Sequence, residues 1–203
     1  MKPGALDEEI MRPSGRITVG VMGSAGDVLV EDQSGRLRST AEQLGATIAK
    51  RGFALLTGAT TGLPDMVSRA AGLHGGLTIG ISPAANREEH VTRWGLPPDG
   101  AQIIIYTGFG LKGRNVINIR SSDIVIIIGG GMGTLNEFTI AYDEAKVIGV
   151  LKGSGGIADH IDAITELARK PTRCRVLFDE DPETLMDSCV EALGSEYQAD
   201  LLS

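Results

Sequence analysis

The chain is poor in the side chains that usually carry metal or redox chemistry. Among its 203 residues are two cysteines, Cys174 and Cys189, with no CxxC spacing, so neither a zinc site nor a disulfide framework is indicated. Unpaired thiols suit a reducing, cytoplasmic setting. The three histidines, His74, His90 and His160, are scattered without HExxH-type spacing, and no protein-built metal site is expected. Basic charge is also in deficit. Lys and Arg number 19 against 26 Asp and Glu, a net charge of −7, which argues against nucleic acid as a partner. No apolar run reaches the length of a membrane span. The opening stretch MKPGALDEEIMRPSG has acids, two prolines and no apolar signal core. Residues 1–14 are therefore expected to be a flexible arm, ahead of a single domain over 15–203.

Two nucleotide-binding fingerprints are missing as well. No loop matches GxGxxG, and no suitably placed acid ends the second strand, which disfavours a hydride-transferring dehydrogenase. GxxxxGK[ST] is absent, which disfavours a P-loop NTPase. Glycine, in contrast, is abundant at 28 residues. It clusters where strands are expected to end.

The densest cluster lies in SSDIVIIIGGGMGTLNEF, residues 121–138. Asp123 to Ile128 is a nearly unbroken aliphatic run, suited to a strand buried on both faces. Gly129, Gly130, Gly131, Met132, Gly133 and Thr134 follow. From Thr134 the spacing of Leu135, Phe138 and Tyr142 predicts a helix. A strand, a glycine turn and a helix start make an anion cradle, because backbone comes close and the first helical N–H groups point at the ligand. Glu137, one turn in, is placed to face whatever the turn holds.

The rest of the chain alternates in the same way. Strands are predicted at Arg16 to Met22, Phe53 to Thr57, Leu77 to Ile81, Ile103 to Tyr106, Val147 to Leu151 and Cys174 to Phe178. Helices are predicted at Arg36 to Arg51, Asp65 to Leu73, Lys112 to Arg120, Ala158 to Arg169 and after Asp181-Pro182-Glu183, an N-cap followed by proline. Gly52 fits a positive-φ position past a helix end. Val28-Leu29-Val30 is assigned to a loop. Ser82 to Gly100 is the longest irregular stretch, a candidate binding loop. The alternation predicts a single Rossmann-like α/β domain, with a mainly parallel sheet of about seven strands and helices on both faces. Ligands of such sheets sit beyond the carboxyl ends of the strands, where strand order reverses. The glycine loops all fall at that edge.

These residues resemble a known family. GGGMGTLNE at 129–137 is similar to the PGGxGTxxE signature of the LONELY GUY (LOG) phosphoribohydrolases, long labelled possible lysine decarboxylases. GRNVINIRSSD at 113–123 resembles that family's arginine-bearing helix, with Arg114 at its active-site arginine and Arg120 at a second. LLTGATTGLPDMVSRA at 55–70 and GVMGSAG at 20–26 resemble two further family segments, so the likeness spans roughly residues 16–151. It implies cleavage of the N-glycosidic bond of a nucleoside 5′-monophosphate, AMP or a cytokinin riboside monophosphate, to base and ribose 5-phosphate, with no cofactor required. Gly130, Gly131, Gly133 and Thr134 would hold the phosphate, and Gly23, Ser24, Gly58, Met132 and Arg120 would complete the nucleotide site. Glu137 and Arg114 would face the ribose as the catalytic pair. The resemblance also implies a homodimer or larger homo-oligomer. No motif identifies a pyridoxal-phosphate lysine, so the decarboxylase label has no chemical support.

The chain departs from that pattern. Gly129 replaces a proline, Met132 a frequent aromatic, and Gly62-Leu63-Pro64-Asp65 replaces GLMG. These changes resemble a sister branch that includes molybdenum cofactor carrier proteins. There the same crevice holds a phosphorylated pterin and no bond need be cut. Two functions therefore stand side by side. The hydrolase is placed first, and a non-catalytic carrier or sensor of a phosphorylated small molecule, such as molybdenum cofactor, is the alternative.

Overall fold

The computed structural model describes residues 16–26, 35–170 and 172–201. The arm at 1–14 and the Val28-Leu29-Val30 segment lie outside the described residues.

Seven strands form one all-parallel sheet in the order β4-β3-β2-β1-β5-β6-β7. They are β1 (Thr18–Gly23), β2 (Ala54–Thr57), β3 (Leu77–Ser82), β4 (Ile103–Tyr106), β5 (Ile124–Ile128), β6 (Val147–Leu151) and β7 (Arg175–Asp179). The helices are α1 (Arg36–Lys50), α2 (Leu63–Leu73), α3 (Arg87–Thr92), α4 (Gly110–Arg120), α5 (Met132–Asp143), α6 (Ile161–Ala168) and α7 (Pro182–Leu201). None is long and apolar enough to cross a membrane among the described residues.

Strand β5 lies at the centre, paired with β1 from Val19↔Ile124 to Gly23↔Ile128. Its side chains alternate between two cores, as a period of two requires. Ile124, Ile126 and Ile128 pack among α1, α2 and α7, while Val125 and Ile127 face Phe138 and Ala141 of α5 and Ile161 of α6. All five are completely buried. A polar clasp fixes where the two central strands begin. The Thr18 amide and hydroxyl both donate to Asp123 Oδ2 at 2.9 Å, and the Asp123 amide donates back to Thr18 Oγ1 at 3.1 Å.

Sequence expectation and structure differ at helix starts. Helix α4 begins at Gly110 and α5 at Met132, each two residues before its predicted start. In both, glycine and a loop residue occupy the first turn, where helical propensity matters least because the N–H groups are unpaired in any case. The stretch 82–100 is not wholly irregular. It contains α3, capped by Asn86 Oδ1 accepting from the Glu89 amide at 2.9 Å. The predicted helix at 158–169 is a 3₁₀ turn (Gly156–His160) followed by α6.

Strand order reverses between β1 and β5, because β2 to β4 are added on one side and β5 to β7 on the other. The gap opened at their carboxyl ends is the place where such sheets bind ligands.

Candidate functional site

A cavity of about 260 Å³ occupies that gap. Gly23 closes it from the end of β1, Gly58 from the end of β2, and Gly131, Gly133 and Thr134 from the start of α5. Arg114 and Glu137 form its inner wall and are both 6% exposed. Lys112 and Leu111 of α4 stand at its mouth.

The glycine turn after β5 is braced from behind. The amide of Gly129 donates to Ser154 Oγ at 2.8 Å, and that of Gly130 to Ser24 Oγ at 2.6 Å. Both glycines have positive φ, 61° and 98°, a backbone that residues with a Cβ adopt only under strain. Gly131 and Gly133 are different. A Cβ on either would meet nothing within 4 Å, and neither has a positive φ. Gly133 is the second residue of α5, in its first turn. Among the described residues nothing requires glycine at these two places. The bare surface they leave faces the cavity, beside the unpaired first N–H groups of α5.

Arg114 Nη1 donates to Glu137 Oε1 at 3.1 Å. In the orientation that satisfies its neighbours, the Asn115 amide also donates to Glu137 Oε1 at 3.0 Å and to Leu111 O at 2.8 Å. Gly58 makes room for the arginine. A Cβ there would lie 2.2 Å from Nη1 and 2.5 Å from Cζ of Arg114. Burial pushes the Glu137 carboxyl above its ordinary range, against the pull of Arg114, an Asn118 hydrogen bond and Lys112. Burial likewise lowers the Arg114 guanidinium, opposed by Glu137. Each group is thus held by the other in a place that disfavours charge. Among the described residues, Arg114 Nε in the wall and Asn118 Oδ1 are buried without a partner, so the wall retains unused hydrogen-bonding capacity at Arg114.

Of the residues singled out from sequence, Gly23, Gly58, Arg114, Gly131, Gly133, Thr134 and Glu137 line the cavity. Ser24 and Gly130 stand just behind it, bonded to each other. Met132 is 76% exposed on the outer side of the first turn of α5. Arg120 is at the far end of α4, where it pairs with Glu144 at 2.8 Å, and the fold does not bring it to the cavity. Six residues after Arg114, it lies on another side of the helix. Sequence reasoning missed Lys112, Asn115 and Asn118. The last two fall on the Arg114 side of α4, at i+1 and i+4, so helical spacing from Arg114 was the available signal. The β6–α6 glycine loop does not offer the same chemistry. There the amides of Gly153 and Gly155 are already taken by Asp159, at 2.7 and 3.1 Å.

The model of the SLOG cluster4 family matches residues 16–186. An uncharacterized protein of Archaeoglobus fulgidus is 37% identical over 112 residues, covering 55% of this chain and 68% of that one. The molybdenum cofactor binding protein of Rippkaea orientalis is similar with a TM-score of 0.69 and 32% identity, over 86% of this chain and 95% of that one. The molybdenum cofactor carrier protein of Chlamydomonas reinhardtii is similar with a TM-score of 0.69 and 27% identity, over 88% and 99%.

Proposed function

The chain belongs to the SLOG cluster4 family, and on that premise we propose that it binds a phosphorylated small molecule, with molybdenum cofactor as the first candidate. The observation that carries this reading is the bare backbone at Gly131 and Gly133, open over the start of α5 and facing an enclosed basic side chain. Such a surface receives a phosphate through N–H groups and the helix dipole. The lining also includes the apolar Val21, Met22 and Pro64, which suit a ring. The likeness to two molybdenum cofactor proteins favours the carrier over the hydrolase placed first on sequence. These residues suit the phosphate and ring of such a group. Among the described residues no cluster of His, Cys, Asp or Glu could hold its metal.

Anaerobic incubation with molybdenum cofactor, gel filtration, and molybdenum analysis of the protein peak test the proposal. Co-elution near one molybdenum per chain is the expected result. A bound ligand at a hundred times its Kd should also add about 2.7 kcal/mol of stability. Molybdenum confined to the small-molecule fractions, with no change in melting, refutes the carrier reading.

One observation favours a second reading, hydrolysis of a nucleoside monophosphate. Glu137 is one turn beyond the phosphate cradle, within a ribose's reach of it, and its carboxylate could stabilise positive charge as the glycosidic bond breaks. Release of free base from AMP or a cytokinin riboside monophosphate, lost in Glu137→Gln, would establish it.

A homo-oligomer is also part of this proposal. Helix α4 buries Arg114, Asn115 and Asn118 and leaves the apolar Leu111 44% exposed. Beside it, Ile103 and Ile105 of the edge strand β4 are 49% and 47% exposed. Residues 101–122 contain no acid in a chain with 26, so copies with a net charge of −7 can approach there without setting acids of this segment against each other.

A further inference from the structure

Lys112 stands in the lining of the cavity, in the first turn of α4, with its side chain exposed. Several cations of the protein are matched by acids, among them Arg69 by Asp65, Arg120 by Glu144 and Lys152 by Asp162. Lys112 has no such partner among the described residues, and its charge is felt at Glu137. A second helix start therefore meets the first. Leu111 and Lys112 bring the beginning of α4 to the cavity that Gly131 and Gly133 open at the beginning of α5. Arg114, 6% exposed and with an unused Nε, lies between them.

The charges can be counted. Lys112 and Arg114 are positive and Glu137 is negative, and each helix start contributes roughly half a positive charge, so the cavity holds on the order of +2. A phosphate monoester carries about −2 above its second pKa near 6, whereas a phosphodiester carries only one negative charge. Without Lys112 the balance falls to about +1 and no longer distinguishes the two.

We propose that Lys112 is the specificity-determining cation of this cavity, selecting a terminal phosphate monoester in its dianionic form over a phosphodiester. The inference rests on the phosphate-binding reading above and sharpens it. The ligand ends in a free phosphate, and a singly charged phosphodiester linkage is disfavoured by charge.

The test compares AMP with its phosphate methyl ester, which differ by one ionisation, in thermal melting from pH 5 to 7.5, with inorganic phosphate as a control. Glu137, raised by burial, is the one carboxyl of the lining, and Arg114 stays charged. The methyl ester experiences both, so the difference between the two ligands isolates the second phosphate ionisation. AMP affinity should rise through pH 6 while ester affinity does not follow. Lys112→Ala should weaken AMP about tenfold at pH 7.5, the scale of one charge-assisted hydrogen bond, and bring its pH profile onto that of the ester. Lys112→Arg should restore both, and because Lys112 is exposed, each variant should melt like the parent without ligand. A Lys112→Ala protein that keeps the full preference for AMP overturns the inference and leaves the phosphate site standing. Wild-type protein indifferent to AMP, ester and phosphate alike overturns the phosphate reading and this inference with it.

Discussion

Replacing Gly58 by alanine would test the inner wall of the cavity without touching either member of its ion pair. Gly58 is buried at the end of β2 and does not have a positive φ, so its backbone suits alanine. On backbone grounds alone the change should stabilise the protein by about 0.4–1 kcal/mol, through the unfolded chain. Against that stands the new methyl, 2.2 Å from Arg114 Nη1 and 2.6 Å from Nη2. The guanidinium must leave, and the 3.1 Å contact with Glu137 goes with it. Breaking a buried pair costs about 3–5 kcal/mol when the remaining charge is stranded. Arg114 can withdraw into the cavity and recover some hydration, and Glu137 can take up a proton, which burial already favours. The net loss should therefore be about 2 kcal/mol, below the full cost but above the backbone gain. For a domain of this size that lowers Tm by about 4–8 °C in scanning calorimetry or fluorimetry. The control is the same change in an Arg114→Gln background, where the obstructing guanidinium is absent and Gly58→Ala should cost nothing. A single variant as stable as the parent, or an equal loss in both backgrounds, would refute the claim that Gly58 exists to admit Arg114.

Glu137 supplies a pH signature. Its folded carboxyl is raised by burial, so the native state holds the proton more firmly than the unfolded chain. The stability it contributes is complete below the ordinary carboxylate range near 4.3 and is lost as pH rises towards the folded value. The stability difference between wild type and Glu137→Gln, from urea titrations, should fall as pH rises above that range; a flat difference would contradict the assignment. Ser154→Ala strips the Gly129 amide of its acceptor and Leu151 O of its donor, both buried. A loss of about 1–3 kcal/mol is expected in chemical denaturation, and an unchanged midpoint would show that water replaces the hydroxyl freely. Ile105→Glu should shift sedimentation towards the monomer without lowering monomer stability by more than about 0.5 kcal/mol, the usual bound for an open surface site.

Much of this was legible in sequence. The aliphatic run of β5, the glycines after it and the helical spacing of Leu135, Phe138 and Tyr142 defined one strand, turn and helix whose periods differ sharply. Glu137 was legible because its distance from the glycines is a property of the helix alone. Arg120 was misplaced because motif likeness weighed it equally with Arg114, although six residues separate them and 3.6 residues make a turn. Asn115 and Asn118 were missed for a different reason. Polar residues on a helix usually mark its wet side, and only the position of Glu137 across from them shows that this side is turned inward. The short α3 was hidden among prolines and charges, although Asn86 and Glu89 are spaced as a capping pair.

The bond between Ser24 and Gly130 joins positions 106 residues apart in the chain. Neither half of the molecule owns the cavity: one brings Gly23 and Gly58, the other Arg114, Gly131 and Glu137. During synthesis nothing can bind until β5 has threaded in beside β1, so a ligand recognises only finished molecules. It then acts as a rivet across the seam, and it should slow the parting of the two halves more than it slows fraying at either edge of the sheet.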